Sequence, residues 1–300
     1  LTLVRSGLTS LFNTPATVAQ RPAPIDRDRR LTWSTLTTGS LPEPTDGILY
    51  IDAAGFSLEG PDSLAHALIR AYRAGWQRLV LFGCKGDRFI ACGLGRDAAH
   101  TCIDIYGTPG DYLAAGLDGT EVRVHGSAQD QAGHLMKSGR LVIHGDAGQA
   151  FLYGATGGEA YVRGNVAERA FACAGGELRA VVNGRCADFV AQGYRPGTGF
   201  ICINGLSLQA LDDQGRPRRL RQPHAGLRFF SEATGGAAYL ADPAQAIARQ
   251  PPQGAAVAPF DATDRDLLLP HLRENAALFD FPFDGKAPLH ALYTRLIPTA

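Results

Sequence analysis

The chain has 300 residues, 45% of them apolar, enough for one large domain or two to three small ones around a real core. Lys plus Arg number 29 and Asp plus Glu number 29, so the net formal charge is zero and gives no electrostatic reason to expect nucleic acid or an anionic membrane as partner. No apolar run approaches the ~18 residues of a bilayer span, no signal peptide stands at the N-terminus, and six cysteines without any CxxC pair point to reduced thiols in a cytoplasmic protein.

Residues 1–46 are rich in Pro and Arg and read as an extended arm that either wraps a partner or moves freely. Residues 47–95 change character. ILYID is a short strand, GPDSLAHALIRAYRAGW a helix with Pro61 in its first turn and Gly75 at its end, RLVLFG a second strand and RFIACG a third. That order suggests a small α/β unit. GLGRDA (93–98) matches a dinucleotide-binding fingerprint, but the next strand starts too soon for the helix that such a loop requires.

From residue 96 the chain repeats itself. IDIYG, VRVHG, LVIHG, AYVRG, AVVNG and ICING place Gly107, Gly126, Gly145, Gly164, Gly184 and Gly205 at intervals of 19 to 21 residues. Residues two and four before each Gly are all apolar, from Ile103 and Ile105 to Ile201 and Ile203. The residue just before it is Tyr106, His125, His144, Arg163, Asn183 or Asn204. Period-two alternation within a 19–21-residue period predicts a mainly β fold, a parallel solenoid over 96–245 whose stacked coils bury one face. The six glycines read as corners, with positive φ expected, and a second glycine-rich corner precedes most strands (LDGT, KSGR, TGGE, AGGE). SEATGGAAYLADP closes the repeat after an irregular stretch, 206–230, that carries GRPRRLRQPH. Residues 246–300 read as two helices, 263–279 interrupted by Pro270 and a terminal PLHALYTRLIP, capping the solenoid's open end.

Chemistry is sparse. His125 and His144 occupy equivalent places in adjacent coils; a metal site there needs a third ligand, and Arg163 at the next rung would repel a cation, which favours a stacked surface ladder. The carboxylates Asp104, Asp111, Asp130, Asp146, Glu159, Glu168 and Asp188 fall at different phases of the repeat, against a polysaccharide-cleaving groove. A six-residue submotif of the hexapeptide acyltransferase kind is missing, as are GxSxG, HExxH and GxxxxGK[ST]. No catalytic, cofactor-binding or metal-ligating residue is assigned.

The run LYGATGGEAYVRGNVAERAF (152–171), with DFVAQGYRPGTGFICING and FFSEATGGAAYLADP, resembles the C-terminal GXGXG domain of the glutamate synthase large subunit. The resemblance spans about 95–245 and implies a right-handed parallel β-helix. The glutaminase half of that family starts on a nucleophilic Cys; here residue 1 is Leu and the first Cys is Cys84, so that chemistry carries over to no residue, nor does the synthase chemistry. The resemblance therefore implies a non-catalytic scaffold subunit of a glutamate-synthase-like oxidoreductase complex, with FMN and iron–sulfur clusters in partner subunits and a glutamine amidotransferase as a further partner. The same repeat is similar to the C-type scaffold of formylmethanofuran dehydrogenase and of formyltransferase/hydrolase complexes. A stand-alone β-helix enzyme acting on carbohydrate is the third reading.

Overall fold

The structure is a computed structural model that describes residues 29–39, 41–211, 213, 217–220, 223–224, 226–281 and 288–299. Most of the expected N-terminal arm, residues 1–28, lies outside them. Its described part contains β1 (Arg30–Leu31) and α1 (Trp33–Thr38), with Thr32 and Thr35 forming a reciprocal capping box. Next come β2 (Leu49–Asp52), α2 (Leu64–Arg73) and β3 (Arg78–Lys85). The side chain of Ser63 caps α2, so Pro61 lies before the helix rather than in its first turn.

The repeats supply β4 (Cys102–Thr108), β5 (Asp118–His125), β6 (Ser138–Ile143), β7 (Glu159–Val162), β8 (Arg179–Val182), β9 (Phe200–Ile203) and β12 (Ala238–Ala241). A hairpin, β10 (Leu206–Leu211) with β11 (Pro217–Arg219), interrupts them. After β12 come α3 (Ala246–Arg249), β13 (Ala255–Ala258), α4 (Ala262–Phe279), α5 (Leu289–Leu292) and β14 (Tyr293–Pro298).

Twelve of these strands form one mixed sheet in the order β1-β2-β3-β4-β5-β6-β7-β8-β9-β12-β14-β13. All pairs from β1 to β12 are parallel. The segment 47–95 therefore adds β2 and β3 to the repeat's own sheet. Register explains the periodicity, since Ile103, Val122, Leu141, Ala160, Ala180 and Ile201 are successive partners. All twelve apolar residues of the repeat are 0% exposed. A fully buried Val, Leu or Ile contributes about 1.5–3 kcal/mol, and here each column also touches the one above and below. A second row of parallel bridges runs Ala128–Ala147–Val166–Cys186–His224.

Between these rows each repeat makes a third stretch in which every second residue is left-handed: Tyr112, Ala114 and Gly116; Gln131, Gly133 and Leu135; Ala150, Leu152 and Gly154; Arg169, Phe171 and Cys173. Their amides alternate in direction. Leu152 N–H donates to Ala132 in the previous repeat, whereas Ala150 and Gly154 donate to Glu168 and Ala172 in the next. RFIACG belongs to this class, with Phe89 at φ 60° and Ala91 at φ 57°, and is not the third strand its alternation suggested. A non-glycine residue in this region costs about 1–2 kcal/mol, which the amide ladder and the buried Leu113, Phe151 and Phe171 offset.

The C-terminus also departs from expectation. Residues 262–279 form a single helix through Pro270, which sits on its exposed side, and Asp261 caps it. Asp264, Leu268, Leu272, Asn275 and Phe279 make one buried stripe. That stripe covers the sheet's outer face, where Val142, Tyr161, Val181, Phe200, Cys202 and Tyr239 form a second core with it. The anticipated terminal helix is only α5; TRLIP is strand β14, antiparallel to β12 and β13. Thus the sheet continues past the last parallel strand through β14 and β13, while α4 packs on its face.

Candidate functional site

The six repeat glycines serve close approach more than sharp turning. Gly107 and Gly205 have positive φ, 127° and 58°, but Gly126, Gly145, Gly164 and Gly184 do not, so positive φ is corrected for those four. A Cβ at Gly184 would stand 2.5 Å from both the Gly164 carbonyl oxygen and Asn165 Oδ1. At Gly126 and Gly164 it would press on the Gly107 carbonyl and on Asp146 Oδ1. Adjacent repeats leave no room there for a side chain. Positive φ falls instead at the start of the strand, as at Gly139, or just before it, as at Gly158.

Some acids do stack, contrary to the phase argument. Asp111 Oδ1 accepts from Asp130 N–H at 3.3 Å, and Asp130 Oδ1 accepts from Gln149 N–H at 2.8 Å. A parallel column has Asp146 N–H on Ser127 Oγ and Arg185 N–H on Asn165 Oδ1. These side chains tie repeat to repeat by neutral or charge-assisted bonds to backbone, a structural use of a carboxylate.

The outer-face ladder is stacked as expected. Tyr106 and His125 rings are 4.2 Å apart at 11°, and His125 and His144 5.0 Å apart at 19°. His125 Nε2 hydrogen-bonds Asp104 at 2.8 Å. Burial, then the neighbouring His125 and Arg163, push His144 down to about 4. His144 packs edge-on against Phe279 of α4. Further along, Asn183 exchanges two 2.8 Å hydrogen bonds with Asn275 of α4, and Tyr293 O–H donates to Asn204 at 2.8 Å. Among the described residues no three His, Cys, Asp or Glu side chains come together as a metal site. The six thiols form no disulfide; burial raises Cys84 and Cys186, and pushes Cys202 up to about 12, which leaves these three poor nucleophiles.

Two features escaped the sequence reading. One is a column of alternating charge, Glu121–Arg140–Glu159–Arg179, on successive strands. Arg140 reaches Glu274 of α4 at 2.8 Å, Glu159 at 3.5 Å and Glu121 at 3.8 Å. Tyr161 O–H bonds Glu159 at 3.1 Å and His271 Nδ1 at 3.0 Å, and burial lowers His271. A groove of about 420 Å³ opens beside this column, lined by Lys137, Ser138, Thr156, Glu159, Glu177 and Arg179. The 19–20-residue spacing of the four charges was available as a signal.

The other feature is an aromatic edge on the left-handed stretches. Phe89 stacks on Tyr112 at 5.4 Å, Tyr112 meets His134 edge-on at 5.7 Å, and His134 stacks on Tyr153 at 5.4 Å. Leu135 (50% exposed), Tyr153 (38%) and Phe89 (37%) open it to solvent. With this geometry in place, the comparison with known families finds that residues 83–256 match the model described as GXGXG motif.

Proposed function

The chain belongs to the GXGXG motif family, and from that premise we propose that it is a non-catalytic scaffold subunit of a multi-subunit, glutamate-synthase-like oxidoreductase. In this reading the repeats wind as a right-handed parallel β-helix, and the chemistry resides in separate subunits that carry FMN, iron–sulfur clusters and, where glutamine is used, an amidotransferase. The observation that carries it is the aromatic edge, Phe89–Tyr112–His134–Tyr153 with Leu135, partly open to solvent across successive repeats. Contiguous exposed apolar surface of this kind marks protein interfaces, and Tyr and Phe are enriched at their centres. A rigid rod of stacked repeats suits the task of holding two partners at a fixed distance.

The test is co-expression with the separately encoded synthase-type subunit, followed by size-exclusion chromatography monitored at the flavin absorbance. The scaffold reading expects one flavin-containing peak holding both chains, weakened at least tenfold in affinity by Leu135→Asp with Tyr153→Asp. Two separate peaks contradict it. A stable complex with a molybdenum- or tungsten-bearing subunit instead would move the assignment to the formylmethanofuran-linked assembly.

A further inference from the structure

The charged column is balanced at its lower rungs and unbalanced at its end. Arg140 takes three carboxylates within 4 Å, whereas Arg179, the next arginine along the column, takes none among the described residues. Its natural partner, Glu159, is already held by Arg140 and Tyr161. On the other side its register partner is Phe200, which offers no acceptor. Arg179 Nε is shielded from solvent yet has no hydrogen-bond partner among the described residues. Leaving a charged donor unsatisfied in a shielded place is costly, and such donors are normally paired.

Arg179 lines the groove together with Lys137, whose charge acts at longer range on Asp118, and with the Ser138 and Thr156 side chains. Glu177 is the one acid on the lining that no described residue already occupies; Glu159 is neutralised by Arg140. Two cations against one free carboxylate leave the groove with an excess positive charge. Its ~420 Å³ admits a small solute.

We propose that this groove is a binding site for a small oxyanion, a carboxylate or a phosphate, held by the Arg179 guanidinium with Lys137 as second cation. Arginine's planar fork matches either group, with the hydroxyl of Thr156 on the same wall; Ser138 Oγ already donates to Asp118 at 2.6 Å. Glu177 limits the charge that the site accepts, so compact anions of low charge are favoured. The inference is independent of the scaffold reading, because it rests on the charged lining of the groove and not on the aromatic edge.

The experiment uses the full chain and titrates inorganic phosphate and, separately, acetate by calorimetry, with ionic strength held constant by chloride. Saturable binding of either, with a dissociation constant of about millimolar, supports the proposal; which one saturates identifies the oxyanion. Arg179→Gln is expected to weaken that binding at least tenfold and Lys137→Gln several-fold, while Glu177→Gln tightens it. Because Lys137→Gln and Glu177→Gln move binding in opposite directions, a folding defect in the arginine variant leaves the test intact. Failure of both anions to saturate below about 50 mM, or unchanged binding in the Lys137 and Glu177 variants, overturns the proposal.

Discussion

Replacing Gly184 by Ala probes the close stacking that organises the repeats. The backbone there is not left-handed, so conformational strain contributes nothing. The added Cβ would lie 2.5 Å from the Gly164 carbonyl oxygen and 2.5 Å from Asn165 Oδ1, about 0.5 Å inside the 3.0 Å that real Cβ contacts keep (3.0 − 2.5). Neither atom is free to yield. The carbonyl accepts Gly184 N–H at 2.9 Å, and Asn165 Oδ1 accepts Arg185 N–H at 3.1 Å. Separating the two repeats locally loses roughly two hydrogen bonds at about 1 kcal/mol each and adds overpacking strain of about 1–3 kcal/mol. Gly184→Ala should therefore destabilise by about 3–5 kcal/mol, read from the shift of the denaturant midpoint at unchanged slope. Gly95→Ala is the control, because its Cβ meets nothing within 4 Å and its φ is −86°. A Gly184→Ala protein within 0.5 kcal/mol of its parent, or equal to the Gly95 variant, would refute the reasoning.

Three further outcomes follow from the same geometry. His144, about 4 in the fold against 6.5 unfolded, favours the neutral ring, so its stabilisation is complete above pH 6.5 and drains away as pH falls towards 4. After discounting for solvent screening of a partly exposed ring, the loss is about 1–2 kcal/mol; the stability difference between the parent and His144→Asn should shrink across this window, and a pH-independent difference would contradict it. Leu272→Ala empties the outer core under α4 and should cost about 2–5 kcal/mol, with faster amide exchange in 262–279; native-like exchange there would mean that α4 is not held by this stripe. Gln131→Gly relieves a left-handed non-glycine residue at φ 59° and should stabilise by about 0.5–1 kcal/mol in thermal melts, whereas a loss of stability would speak against that backbone conformation.

Much of the stacking was legible because period two within a 19–21-residue repeat leaves few alternatives. Ile103, Val122 and Leu141 fall in register as the alignment of the repeats requires. The same period two misled at RFIACG. The left-handed Phe89 and Ala91 flank Ile90, which is buried as in a strand, although the segment is a chain of turns. The role of α4 was hidden by the outward positions: Val142, Tyr161 and Val181 are apolar where Asp104 and Arg123 are polar, and that switch announces a covered face. TRLIP read as helix because its strand character comes from pairing with β12 and β13, residues far away in sequence. The groove beside Arg179 needed three dimensions, since Arg179 goes unpaired because Arg140 and Tyr161 take up the Glu159 carboxylate.

The central claim is that this chain acts by joining other subunits. Its most direct measurement is the mass and flavin content of the species formed when the full chain and the synthase-type subunit are mixed at equal concentration. The account predicts a stoichiometric, flavin-containing complex that Leu135→Asp with Tyr153→Asp dissociates while the isolated chain keeps its melting temperature. A chain that stays alone in the mixture, or a complex indifferent to those two substitutions, would contradict it.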